Sequence, residues 1–348
     1  MNTAPEILLS VRDLHVSFDS GAVEAVRGLS FDVRAGEVLA VVGESGAGKS
    51  LTARALLGMP PRRATVSGSV RMGTHELVGA ERSVRTALWG RRLALVPQDA
   101  LSALSPVHTV ADQLAASVRS VDRVSRKAAR ARAVAALEEV GIAADRARSY
   151  PHEFSGGMRQ RAVIAMALLH SPALVVADEP TTAQDPETRR QILGLLARRS
   201  QAAGATLVLI THDLPTVREH ADRVLVMYAG HLTEEGPTNE VFTHPRAPYT
   251  AGLLATTLPP RDQPPRTRGQ RLPAIPGTPP TPTDPRPGCA FAPRCPLADT
   301  SPSTTNPADA NRCRTHRPEP QTHNNRTVAC HHWRDLPDDP ATLFTEPT

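Results

Sequence analysis

The sequence predicts an α/β fold. Its parts are a mixed β-sheet core, an antiparallel β portion ahead of it, a helical insert, and a proline- and cysteine-rich C-terminal element. Three observations carry this. Apolar runs Val38-Leu39-Ala40-Val41-Val42, Ala173-Leu174-Val175-Val176-Ala177 and Thr206-Leu207-Val208-Leu209-Ile210 read as buried strands in βα alternation. The first run passes directly into Gly43-Glu44-Ser45-Gly46-Ala47-Gly48-Lys49-Ser50, and the second ends in Asp178-Glu179-Pro180. Prolines then crowd residues 245–287, where a regular sheet cannot continue because proline removes ladder donors and fixes φ.

Taken in order, residues 6–35 alternate and carry turns such as Asp19-Ser20-Gly21, which reads as the antiparallel portion. Residues 36–100 hold the strand before the glycine-rich loop, its helix and another strand. A helical insert follows over about residues 99–170. Within it residues 125–141 are amphipathic, with Ala128, Val134, Leu137 and Val140 near helical spacing. From residue 171 the βα alternation resumes and ends in strands near 223–227 and 231–235. Residues 1–243 thus form one domain, and 244–348 a separate, loop-rich extension that wraps the core.

The glycine-rich loop matches G-x-x-x-x-G-K-[ST] after a strand and before a helix, the context in which it binds phosphate. Its glycines let backbone N–H groups turn inward, and the following helix offers a positive N-terminus. Lys49 reaches β and γ oxygens, and Ser50 offers a hydroxyl to Mg²⁺. Lys49 and Lys127 are the only lysines in a chain otherwise basic through arginine, and a planar guanidinium would not fit the loop in place of Lys49. Asp178 stands where ligands meet the carboxyl ends of parallel strands, so it can hold Mg²⁺ through water. Glu179, one residue on, would orient or deprotonate the attacking water. A solvated acidic turn is the plainer reading of Asp178 and Glu179 alone; the phosphate loop makes it improbable.

On these residues the chain resembles the P-loop NTPase cassettes of ABC transporters over roughly residues 6–243. Phe154-Ser155-Gly156-Gly157-Met158 is similar to the ABC signature, Gln98 to the Q-loop glutamine, Ala183-Gln184-Asp185 to the D-loop, and His212 in Ile210-Thr211-His212-Asp213 to the switch histidine. Phe18 occupies the place of the aromatic that stacks on adenine. The resemblance implies ATP and Mg²⁺ as cofactors. It makes Glu179, His212 and Gln98 catalytic, with Gln98 also sensing the metal. Ser155, Gly156, Gly157 and Asp185 would meet the γ-phosphate on a second ATP-binding subunit, a copy or a relative.

Further stretches narrow the branch. Tyr150-Pro151-His152-Glu153, Ala221-Asp222-Arg223-Val224, His244-Pro245-Arg246-Ala247-Pro248-Tyr249-Thr250 and Leu272-Pro273-Ala274-Ile275-Pro276-Gly277 resemble the oligopeptide/dipeptide permease ATPases, with nickel-permease ATPases close by. That branch implies an importer with two integral membrane permeases and an extracytoplasmic solute-binding protein. The alternatives are nickel import and a soluble, non-transport ABC ATPase; the latter usually carries two cassettes or a coiled-coil insertion, and this sequence has one phosphate loop.

All four cysteines, Cys289, Cys295, Cys313 and Cys330, lie in the extension. Clustered cysteines in a cytosolic chain favour metal over disulfide, and four thiolates suit iron–sulfur and zinc equally. The resemblance implies a 4Fe-4S cluster, with Zn²⁺ the alternative. Net charge of +5 is modest and aromatic content is 3%, so no nucleic acid is expected. Neither an 18-residue apolar span nor a signal-peptide pattern is present, which predicts peripheral residence at the cytoplasmic face of the cell membrane.

Overall fold

Alternation fails at one place in the first strand, and a bulge repairs it. β1 (Ile7–Phe18) buries Leu9 and Val11, then Leu14 and Val16, so the two-residue period slips across Arg12 and Asp13. A register shift there, with Asp13 at φ 47°, keeps both pairs on the core face. β2 (Val23–Arg34) returns antiparallel after the turn Asp19–Gly21. β3 (Val38–Val42) departs to a second sheet. The first is then completed from further along the chain by β4 (Thr65–Met72) and β5 (His75–Glu76), in the order β2-β1-β4-β5. The antiparallel layer thus draws on more chain than residues 6–35. The computed structural model describes residues 6–181, 184–256, 273–283, 287–298 and 311–344.

The core sheet is built from the apolar runs. β3 lies between β8 (Thr206–Ile210) and β9 (Arg223–Tyr228), and β7 (Leu174–Asp178) joins β8 to β6 (Leu93–Val96); all these pairings are parallel. Both faces are covered, which is why the runs are continuously apolar rather than alternating. On β7, Leu174 and Val176 face the antiparallel layer and α1 (Lys49–Leu56), while Val175 and Ala177 face helices. A fully buried leucine of this kind contributes about 1.5–3 kcal/mol by leaving water.

The insert follows α2 (Arg82–Leu88) and contains α3 (Ala100–Ala103), α4 (Val110–Val121), α5 (Arg126–Glu139) and α6 (Gly156–Leu168). Ser125 caps α5 by accepting the Ala128 N–H. The buried face of α5 is Ala129, Ala133 and Leu137, with Val140 just beyond; Ala128 is exposed. Leu137 and Val140 are thus buried as expected and Val134 packs on the same cluster, and only at the alanine pair does the buried position move from 128 to 129. α7 (Pro186–Ala202) packs on α6, and α8 (Leu214–His220) on α7.

The extension is fastened to the core rather than standing apart. β10 (His231–Pro237) runs antiparallel to β9, and β12 (Arg326–Val328) adds to its other side, Glu234 opposite Val328, with β11 (Gln321–His323) outermost. Asn324, at φ 56°, supplies the tight hairpin turn. α9 (Thr238–Thr243), α10 (Pro248–Ala255) and α11 (Arg312–Thr315) complete the described helices. Tyr228 of β9, Tyr249 of α10 and Phe291 form a ring trio with centroids 4.5–5.3 Å apart, closing a core shared by cassette and extension. Buried Glu234, itself 0% exposed, pairs with Arg326 and accepts N–H groups of Arg246 and Ala247.

Candidate active site

Strand register brings the sequence-predicted residues to one edge. Val41 and Asp178 both align with Ile210, and Ala177 aligns with Val96. Gly43, His212, Glu179 and Gln98 therefore leave four adjacent strands at their carboxyl ends, where open α/β sheets bind ligands.

The phosphate loop's path requires glycine at two points. Gly43 has φ 150°, and a Cβ there would lie 2.2 Å from the Met227 carbonyl oxygen; one on Gly48, at φ 94°, would lie 2.4 Å from that of Ala25. Ser45 and Gly46 form an exposed crest, whereas Ala47 is buried. Lys49 Nζ donates to the Gly43 and Glu44 carbonyls at 2.9 Å each. Burial pulls its pKa down, against the pull of Glu179, Asp178 and Glu44. Ser50 Oγ donates to Asp178 Oδ1 at 2.8 Å, and burial pushes the Asp178 carboxyl up. A hydroxyl beside a desolvated carboxylate is an oxygen donor set suited to Mg²⁺, which takes its remaining ligands from water and phosphate.

Glu179 adopts φ 43°, a left-handed conformation uncommon for its type, and its N–H donates to the Ile210 carbonyl at 3.0 Å. Its carboxylate then stands 4.0 Å from Lys49 Nζ and 3.7 Å from His212 Nδ1. His212 is half-exposed and Gln98 exposed, on the loop between β6 and α3. Phe18 ends β1 opposite Val23 and is partly buried against the antiparallel core.

The signature is not brought to this loop within the chain. Ser155 caps α6 by accepting the Met158 N–H at 3.3 Å, and Ser155 and Gly156 are exposed. Among the described residues no hydrogen bond or ion pair joins Ser155, Gly156 or Gly157 to residues 43–50. Asp185 caps α7 by accepting the Glu187 and Thr188 N–H groups, and the Thr188 side chain, together with these bonds, holds its carboxyl below the usual range. Gln184 lies against Gly156. Ala183, the first residue of the predicted D-loop, lies outside the described residues.

Sequence reasoning missed a second set of partners at the loop. The Glu44 N–H donates to Tyr249 Oη at 2.8 Å, and the Glu44 carboxylate accepts both outer nitrogens of Arg294. The only signal was position: Tyr249 sits within a stretch noted for its resemblance, and Arg294 stands beside Cys295.

The four cysteines on which the metal expectation rests lie near one another in the extension. All four influence one another electrostatically, and Cys289, Cys295 and Cys313 share a small apolar cluster. Sulfur of Cys289 meets the Phe291 and Ala292 N–H groups, that of Cys295 the Leu297 and Ala298 groups, and that of Cys330 the His332 N–H at 3.4 Å. Yet no group of three or more His, Cys, Asp or Glu among the described residues is arranged to hold a metal ion. Burial favours the neutral thiol and pushes Cys295 up to about 12.

Two family models match: ABC transporter over residues 26–182, and the C-terminal region of oligopeptide/dipeptide transporters over 233–301. The dipeptide transport ATP-binding protein DppD of Bacillus subtilis is 44% identical over 297 residues, covering 84% of this chain and 87% of that protein. The chain belongs to the ATP-binding proteins of the oligopeptide/dipeptide ABC transporter family. The oligopeptide transport ATP-binding protein OppD of Mycobacterium tuberculosis is 48% identical over 83% of this chain, which spans 48% of that relative's length. Among solved ABC structures, cbiO1 from Clostridium perfringens superposes with a TM-score of 0.59 at 26% identity, covering 68% of this chain and 91% of its own. An ATP-binding cassette solved as a dimer with ADP and phosphate gives 0.60 at 24% identity, over 66% and 98%, and bears on the fold alone. No described helix is long and apolar enough to cross a membrane.

Proposed function

We propose that this chain is the ATP-hydrolysing subunit of an ABC importer that energises uptake of oligopeptides or dipeptides from the cytoplasmic face of the membrane. The observation that carries the reading is the Ser50–Asp178 bond set beside Lys49, Glu179 and His212 at one strand edge. Peptide-transport names among the relatives favour this over nickel, and the paired family matches favour transport over a soluble ATPase. Residues 1–243 act as the cassette, and residues 244–348 as its extension.

Residues 43–50 cradle the phosphates, with Lys49 on the β and γ oxygens. Ser50 and Asp178 would hold Mg²⁺, which supplies neutralisation of charge on those oxygens. Glu179 accepts the proton of the attacking water, and His212 and Gln98 align water and γ-phosphate. Ser155 and Gly156, exposed at the start of α6, with the half-buried Gly157 beside them, make no bond to their own phosphate loop and are free to face the γ-phosphate on a second subunit. Hydrolysis thereby requires dimer closure, and Gln98, joining the insert to the sheet, passes the movement to two permeases fed by a solute-binding protein. Affinity purification from native membranes in mild detergent is expected to recover both permeases and the binding protein. Ribosomal or DNA-repair proteins without a permease would overturn the assignment.

The four thiols are further proposed to hold iron–sulfur, or else zinc; their convergence and the N–H groups aimed at three sulfurs support it. Iron and sulfide in equal amounts are expected in anaerobically purified protein. Absence of iron, sulfide and zinc would sink both assignments.

A further inference from the structure

The phosphate loop carries one acidic side chain, Glu44, and it is held from outside the ATP-binding motifs. Arg294 grips both carboxylate oxygens, Nη1 2.7 Å from Oε2 and Nη2 3.1 Å from Oε1, the planar fork matching the carboxylate. The guanidinium is itself fixed. Its Nε donates to the Pro276 carbonyl at 2.7 Å and its Nη1 to Tyr228 Oη at 3.1 Å, and the side chain is 6% exposed. Tyr249 Oη meanwhile accepts the Glu44 N–H, so side chain and backbone of one loop residue are both anchored by the extension.

A carboxylate here is an oddity that needs its partner. The loop is built to receive a polyanion, and the Glu44 charge reaches Lys49, the side chain that must meet the phosphates. Left uncompensated, it would repel them and take up part of the Lys49 field. We propose that Arg294 is a positioning residue of the nucleotide site: by neutralising Glu44 and fixing its orientation, the C-terminal extension makes the phosphate loop receptive to ATP. The inference rests on the ATP reading of that loop. It goes beyond it in making an element outside the cassette part of nucleotide affinity, and the linkage is reciprocal, so bound ATP also stabilises the docked extension.

The test is a charge-removal cycle on the full chain, with MgATP affinity by calorimetric titration and folding checked by thermal melting. R294Q is expected to bind MgATP about tenfold more weakly or worse, with KM raised and kcat changed far less. E44Q/R294Q, which removes the bare carboxylate, is expected to return to within about threefold of wild type. Wild-type affinity in R294Q would overturn the proposal. So would a double variant as weak as R294Q, because a mere packing brace is not repaired by deleting its second half. Should R294Q fail to fold, R294K serves: affinity close to wild type supports neutralisation by charge, and a loss as large as that predicted for R294Q overturns it. Failure of the wild-type chain to bind MgATP would instead remove the nucleotide reading, and this inference with it.

Discussion

Replacing Glu179 by glutamine is expected to lower steady-state MgATP turnover by roughly 10²–10⁴-fold while leaving nucleotide binding near wild type. The amide keeps the side chain's size and the left-handed backbone that aims it, but cannot take a proton from water. Binding is spared because Lys49 remains held by the Gly43 and Glu44 carbonyls and Ser50 by Asp178, none of which involves the Glu179 side chain. Phosphate release measured alongside equilibrium ATP binding separates the two effects. Unchanged turnover would remove Glu179 from the catalytic role and leave the 3.7 Å approach to His212 without a chemical purpose.

The largest stability effect is expected at Arg326. Its guanidinium is the charge partner of Glu234, which is wholly buried, and it also donates to the His244 carbonyl at 2.7 Å. R326A deletes both bonds and strands a carboxylate in the interior, where the Arg246 and Ala247 N–H groups still reach it but no cation does. Stranding one member of such a pair costs about 3–5 kcal/mol. Urea unfolding should show this loss, and E234Q/R326M should recover much of it, because the neutral pair leaves no charge behind. A loss below about 1 kcal/mol in R326A would mean that water reaches Glu234 and that the pair does not fasten the extension.

The phosphate loop and the acidic strand end were legible because each is a local pattern whose chemistry demands particular residues at fixed spacing. The strands behind them were legible because parallel sheets covered on both faces leave unbroken apolar runs. The register that sets Gln98 and His212 on either side of Glu179 was not, since no local spacing encodes which strands are neighbours. Nor was the Arg294–Glu44 pair, whose members are 250 positions apart in a chain rich in arginine. On α5 only Ala128 was misplaced, its neighbour Ala129 being the buried one, because alanine is equally at home on either side of a buried face. The hairpin at the end of the extension hid behind its proline-rich approach, although Asn324-Asn325 between polar β-formers is itself a turn signal.

That hairpin also settles how the core sheet ends. Were β10 the last strand, the backbone of His231–Pro237 would offer unpaired N–H and carbonyl groups to any passing strand. β12 occupies part of that row, and the strand left outermost, Gln321–His323, is three residues long with Gln321 and Thr322 turned to water. A short polar margin is a poor template for sheet growth. The extension thus covers one margin of a long apolar sheet, so that this edge is poorly suited to pairing with the edge of a neighbouring molecule.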